Sequence, residues 1–123
     1  MTKILLLNTK NSNVSPLKNI LNQYFEVDLI ETQSGEEALE MIIDEGFDLV
    51  ISHADIMDMT SLEFSTQLVM KNPMLSQAIV SSISKKEFHN RYEGLGILGQ
   101  LSENVSKSEI DNLFALLSEF NQG

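Results

Sequence analysis

Cysteine is absent from this 123-residue sequence, which excludes disulfides, thiolate nucleophiles and cysteine-ligated metals. Positive charge is scarce: 8 Lys and Arg stand against 18 Asp and Glu, a formal net charge of -10. Such a surface repels nucleic-acid phosphates and anionic lipid headgroups. The only cationic cluster is Lys85, Lys86 and Arg91, and its default reading is a solvated helix face. No apolar run approaches the roughly 20 residues that span a bilayer. The run Ile4-Leu5-Leu6-Leu7 is too short for a signal peptide, and no small-residue cleavage site follows it. A mature cytoplasmic domain is therefore expected, with partners other than nucleic acid or membrane. Gly94, Gly96 and Gly99 have the wrong spacing for a phosphate cradle and precede a strand instead of opening a helix. The pairs Ser81-Ser82 and Ser102-Ser106 have no histidine–acid companions, which leaves nucleophilic hydrolysis unsupported.

What is present is an alternation. Lys3 to Leu7 is a short continuous apolar run, suited to a strand buried on both faces. After a polar loop over 11–15, Pro16 opens a helix carrying Leu17, Ile20, Leu21 and Tyr24 at helical spacing. Val27 to Ile30 reads as a second strand. Ser34-Gly35-Glu36-Glu37 is a capping box opening a helix with Ala38, Leu39, Ile42 and Ile43 as its apolar stripe, and Gly46 is expected to stop it. Phe47 to Ser52 is the strongest strand signal. Leu62, Phe64, Leu68 and Val69 mark a third helix with Pro73 beyond it, and Met57, Met59, Met70 and Met74 gather around that helix. Methionine suits core filling first and an adaptable partner surface second. Ala78 to Ser81, a short helix over Lys85 to Tyr92, and Ile97 to Leu101 follow, the last weakened by its glycines. A second capping box, Ser106 to Glu109, opens a final helix with Ile110, Leu113, Phe114, Leu117 and Phe120 facing inward. Strand and helix thus alternate five times with no internal repeat or linker. One domain over 1–123 is expected, a doubly wound parallel sheet of order 2-1-3-4-5. Ligands in such a sheet bind beyond the carboxyl ends of the strands, where the strand order reverses.

Two segments carry a resemblance. Asp48 to Ser52 with Asp58 to Phe64, and Gly96 to Val105, resemble the third strand with its loop and the fifth strand with its loop in response-regulator receiver domains. The resemblance runs from Lys3 to about Phe120 and implies a flavodoxin-like (βα)5 receiver fold serving two-component or phosphorelay signalling. It places the family's acidic pair on Asn8 and Thr9, and its phosphoaccepting aspartate on His53. The hydroxyl residue falls on Ser81, the aromatic switch residue on Gln100, and the lysine–proline pair on Glu103 and Asn104. The loop proline and glycine fall on Met57 and Ser61. Magnesium held by carboxylates and a lysine that neutralises the phosphoryl group are what the family's chemistry needs. This sequence offers an amide, a hydroxyl, an imidazole and, in the lysine's place, a carboxylate.

The leading expectation is a degenerate receiver that is not an enzyme, carries no cofactor and acts as a protein-interaction module. The resemblance puts the signalling surface on the face of helix four, strand five and helix five. Lys85, Lys86, His89 and Arg91 on helix four and Lys107 and Asn112 on helix five are the candidate contacts, for a signalling protein or a second copy of the chain. An alternative alignment, slipped by two residues, makes Asp55 the phosphoacceptor with magnesium beside it. In the ungapped one Asp55 is an exposed loop carboxylate. His53 reads first as a polar pocket residue and second as a phosphoacceptor or metal ligand, and Glu103 is placed to pair with it. A small-molecule binder using the same crevice is the third reading.

Overall fold

A computed structural model describes residues 2–8, 16–56 and 58–122. Thr9, the loop over 11–15, Met57 and the side chain of Phe120 lie outside the described residues. The elements run β1 (Thr2–Leu7), α1 (Pro16–Leu21), β2 (Val27–Thr32), α2 (Gly35–Asp44), β3 (Leu49–His53), α3 (Ser61–Lys71), β4 (Ser76–Val80), α4 (Lys85–Arg91), β5 (Ile97–Leu101) and α5 (Lys107–Gln122). The sheet is parallel, in the order β2-β1-β3-β4-β5. This is the doubly wound order that the alternation predicts, in the flavodoxin-like (βα)5 receiver fold that the resemblance implies.

The unbroken apolar runs follow from burial on both faces. Along β1, Ile4 and Leu6 join the core beneath α1 and α5, while Leu5 and Leu7 join the one beneath α2 and α3. Leu49 and Ile51 of β3 face the first layer and Val50 the second, as strand alternation requires. Each such side chain contributes roughly 1.5–3 kcal/mol on leaving water. A third, smaller cluster of Ile79, Phe88 and Tyr92 seats α4.

Helix starts are written in the sequence more often than the two capping boxes suggest. Ser34, Thr60, Ser84 and Ser106 each accept, on the side-chain oxygen, the amide of a glutamate three residues on, at 3.0–3.2 Å. Only at Ser106 is the box reciprocal, its amide donating to Glu109 Oε2 at 2.8 Å. Glu37 does not reach back to Ser34; it accepts from Thr32 Oγ1 at 2.9 Å instead.

Several expectations need correction. Gly46 does not terminate α2. The helix closes at Glu45, whose extended backbone (φ -123°) still donates its N–H to Met41, so no left-handed glycine is required. Tyr24 lies beyond α1, in the turn before β2, yet packs its ring edge-on against Phe114 at 5.0 Å. Of the methionines near α3, Met59 packs against the core, but Met70 and Met74 are 79% and 76% exposed and fill none of it. Gly94 and Gly96 take positive φ (83° and 66°) in the turn before β5. They shape that turn and leave the strand itself intact.

The layer beneath α3 holds a polar flaw. Gln77, buried in β4, donates to the Ser65 carbonyl at a long 3.4 Å. Its Oε1 and the hydroxyls of Ser65 and Ser52 meet no partner among the described residues. A buried amide left half-satisfied costs more than an apolar side chain of similar size. Gln77→Leu is expected to raise the unfolding free energy by about 1 kcal/mol. A urea titration checks this, and a lower midpoint would show that the amide contributes net stability.

Candidate functional site

The carboxyl ends of β1, β3, β4 and β5 gather Asn8, His53, Ser81, Gln100 and Glu103 at one edge of the sheet, as the topology requires. Asn8 is buried, and its Nδ2 donates to Glu31 Oε2 at 3.3 Å. Glu31 in turn pairs with Lys18 at 2.8 Å. The amide is therefore spent on a β1–β2–α1 network. His53 ends β3 half-buried, and its Nδ1 accepts the Asp55 amide at 3.4 Å. Glu103 is exposed on the β5–α5 loop, and no ion pair joins it to His53 among the described residues.

The loop after β4 is held from two sides. Ser81 is buried, and its Oγ accepts the Ile83 amide at 3.3 Å, closing a local turn. From β5, the Gln100 amide donates to the carbonyls of Ser81 and Ile83 at 3.2 and 2.8 Å. The Gln100 side chain is thus a polar clamp joining β5 to the loop that leads into α4.

The β5–α5 loop is held as firmly. Glu109 accepts the Ser102 amide (3.0 Å), the Ser102 hydroxyl (2.9 Å) and the Ser106 amide (2.8 Å). Partial burial works to raise its carboxyl pKa, but the hydrogen bonds from Ser102 and Ser106 outweigh it and hold the group below its ordinary value. The three-residue spacing of Ser106 and Glu109 signals the cap, and nothing in it signals the reach to Ser102.

Asp58 has no local signal either. Its carboxylate accepts from the amides of Gly35 (2.8 Å) and Glu36 (3.1 Å) and from the Ser34 hydroxyl (3.1 Å). Desolvation pushes its pKa up, but these donors prevail and lower it. The β3–α3 loop thereby caps α2, where a carboxylate complements the helix dipole. No local spacing signals a cap that comes from 23 residues away.

Magnesium does not fit these residues. It calls for hard oxygen donors, chiefly carboxylates. Asn8 is engaged with Glu31, Asp58 is engaged with α2, and Asp55 lies exposed in the loop beyond His53. Among the described residues no three His, Asp or Glu side chains come together as a metal site. Asp55 instead shares a crevice of about 540 Å³ with Thr60, Leu62 and Arg91. A neighbouring crevice of about 510 Å³ is lined by Ser81, Ser84, Gln100 and Glu103.

The candidate contact residues do not form one patch. Lys85 and His89 line a groove of about 470 Å³ against β5, floored by Phe88, Tyr92 and Ile97. Lys86 is exposed beside them. Arg91 lies on the other flank of α4, in the crevice with Asp55. Asn112 is exposed on α5. Lys107 faces the turn between α1 and β2: its Nζ lies 3.2 Å from Asp111 and 5.4 Å from the Tyr24 ring, and the Tyr24 hydroxyl donates to the same Asp111. Hydrogen bonds from Tyr24 and Lys107 lower the pKa of Asp111.

No protein-family model matches this chain, and no curated protein matches it in sequence. Solved structures do. The signal receiver domain of an HD domain-containing protein from Pseudomonas fluorescens Pf-5 is 19% identical, with a TM-score of 0.84 over 98% of this chain and 90% of that one. A response regulator receiver domain protein from Methanospirillum hungatei JF-1 is 18% identical, with a TM-score of 0.83 over 99% and 98%. A two-component response regulator from Legionella pneumophila is 18% identical, with a TM-score of 0.79 over 97% and 99%. Likeness at these identities defines the class by architecture: the chain has the fold of receiver domains. No described helix is long and apolar enough to cross a membrane.

Proposed function

We propose that this chain is an atypical receiver domain of two-component or phosphorelay signalling that binds a protein partner without being phosphorylated on aspartate. The observation that carries this reading is the Gln100 clamp. In a phosphorylation switch, a small bistable shift links the pocket to the output face. Here Gln100 spans that link with two hydrogen bonds to the β4–α4 loop, favouring one arrangement of α4. The spent Asn8 amide and the carboxylate at Glu103 support the same reading. The proposed contact surface is the groove between α4 and β5, with Lys85 and His89 on one wall, Lys86 beside them and Asn112 on the adjoining helix. Arg91 and Lys107 are assigned no part in it, given where they lie.

The test combines input and output. Wild-type protein with acetyl phosphate and magnesium is expected to show no added phosphoryl mass. Its partner, captured from the source cell, is expected to bind equally with and without the phosphodonor and to be lost with Lys85→Glu/Lys86→Glu. A phosphoryl adduct that disappears in Asp55→Asn, or capture that depends on the phosphodonor, overturns the reading.

A further inference from the structure

We propose that the cleft between α2 and α3 docks a cationic amphipathic helix from a protein partner, at a site separate from the α4 groove. The cleft has a volume of about 410 Å³. Ile43 and Met59, with the edge of the buried Leu39, supply its apolar surface, and Glu36 and Glu40 its charge; Lys71 is the one cation lining it among the described residues. Ile43 is 64% exposed, and Met70, next to Lys71 on α3, is 79% exposed. Both are large apolar side chains held in water on the two helices that form the cleft.

The α2 residues used here, Glu36, Leu39, Glu40 and Ile43, recur at three- and four-residue spacing, so they form one stripe along the helix. A groove between two helices with apolar anchors along it accepts a third helix through contacts at i, i+3, i+4 and i+7. Met59 closes one end. Its Sδ lies 2.9 Å from where a Cβ on Gly35 would sit, so the missing side chain at Gly35 is what lets the thioether seat there. Met59 and Met70 offer an adaptable contact surface, since an unbranched thioether repacks around varied shapes.

Charge selects the occupant. Carboxylates flank the apolar stripe, and the chain as a whole carries -10, which draws a cationic segment and repels nucleic acid and anionic membranes. It also disfavours a second copy: the chain's own cationic helix, α4, is only seven residues long and carries Glu87. The Asp58 carboxylate lines the same cleft but is occupied by the α2 amides, so Glu36 and Glu40 are the free acceptors.

The probe is a synthetic helix of about 18 residues with leucine along one stripe and lysine flanking it. It is compared with a scrambled peptide of the same composition and with a version in which lysine is replaced by glutamate. Amide and methionine-methyl NMR shifts of the labelled protein are the readout. The patterned peptide is expected to saturate, with shifts confined to α2, α3 and Met59. Ile43→Asn/Met70→Asn is expected to weaken it at least ~10-fold, while Lys85→Glu/Lys86→Glu does not weaken it. A spin label on the peptide gives a variant-independent check, broadening Ile43 and Met70 first in the wild-type protein. Equal binding by the scrambled peptide, shifts scattered over the acidic surface, or no saturable binding each overturns the proposal. Because the α4 variant is the control, failure here and failure of the α4 assignment are separately visible.

Discussion

Phe64→Ala is expected to lower the unfolding free energy by about 3–5 kcal/mol, which is a large fraction of the 5–15 kcal/mol that holds a domain of this size. Phe64 is fully buried in the first turn of α3. It belongs to the cluster of Leu5, Leu7, Val50 and Leu68 that joins α3 to β1 and β3. Truncation forfeits the transfer of the ring from water and leaves a cavity, because strands on one side and helices on the other cannot both close in. Guanidinium unfolding at neutral pH measures the loss as a lower midpoint with an unchanged slope. A loss under about 1.5 kcal/mol would mean that α3 can collapse onto the sheet, in conflict with close packing in this layer.

Glu109→Ala is expected to destabilise by about 1–3 kcal/mol, the range for losing charge-assisted hydrogen bonds to a group that water partly reaches. The change frees the amides of Ser102 and Ser106 together, so their hydrogen exchange is expected to accelerate well beyond that of the β4–α4 loop. The pH dependence has a definite sign. A carboxyl whose folded pKa is depressed contributes stability that is fully present above its unfolded value and is lost as pH falls through the folded one. Glu109, Asp58 and Asp111 are all lowered. Wild-type stability is therefore expected to fall below the ordinary carboxylate range. In Glu109→Gln that acid-side fall is shallower, because one of the three contributors is gone. A Glu109→Gln profile parallel to the wild type from neutral pH down to about pH 3 would remove Glu109 from the linkage.

These two residues also show how far the sequence can be read. Phe64 is legible as core because it falls in a helical apolar stripe, and burial follows from periodicity. The cap made by Glu109 is legible for the same local reason: Ser106 and Glu109 stand three apart. Its second grip, on Ser102, is not, because it depends on how the chain turns between β5 and α5. Asp58 shows the limit more sharply. Its partners at Gly35 and Glu36 are joined to it only because α2 and the β3–α3 loop meet at one edge of the sheet.

The pocket divides in the same way. That Asn8, His53, Ser81, Gln100 and Glu103 meet at one edge follows from strand order and the rule for doubly wound sheets. What each does there does not follow from it. Asn8 bonds to Glu31, His53 to its own loop, and Gln100 to two carbonyls of the β4–α4 loop. The candidate contacts separate likewise. Lys85, Arg91 and Lys107 are alike as cations in the sequence, yet they face a groove against β5, a crevice shared with Asp55, and Tyr24 in the turn before β2.

The scarcity of cations, the absence of cysteine and the five-fold alternation of strand and helix determined, by themselves, the class of fold, the strand order and the exclusion of thiol chemistry. These rest on composition and on short-range periodicity, which a linear chain carries openly. The Gln100 clamp, the Asp58 cap, the dispersal of the cations and the acidic cleft beside Ile43 and Met70 were decided only by the tertiary structure. Each depends on directions taken by side chains from elements distant in the chain, and those directions are set by packing.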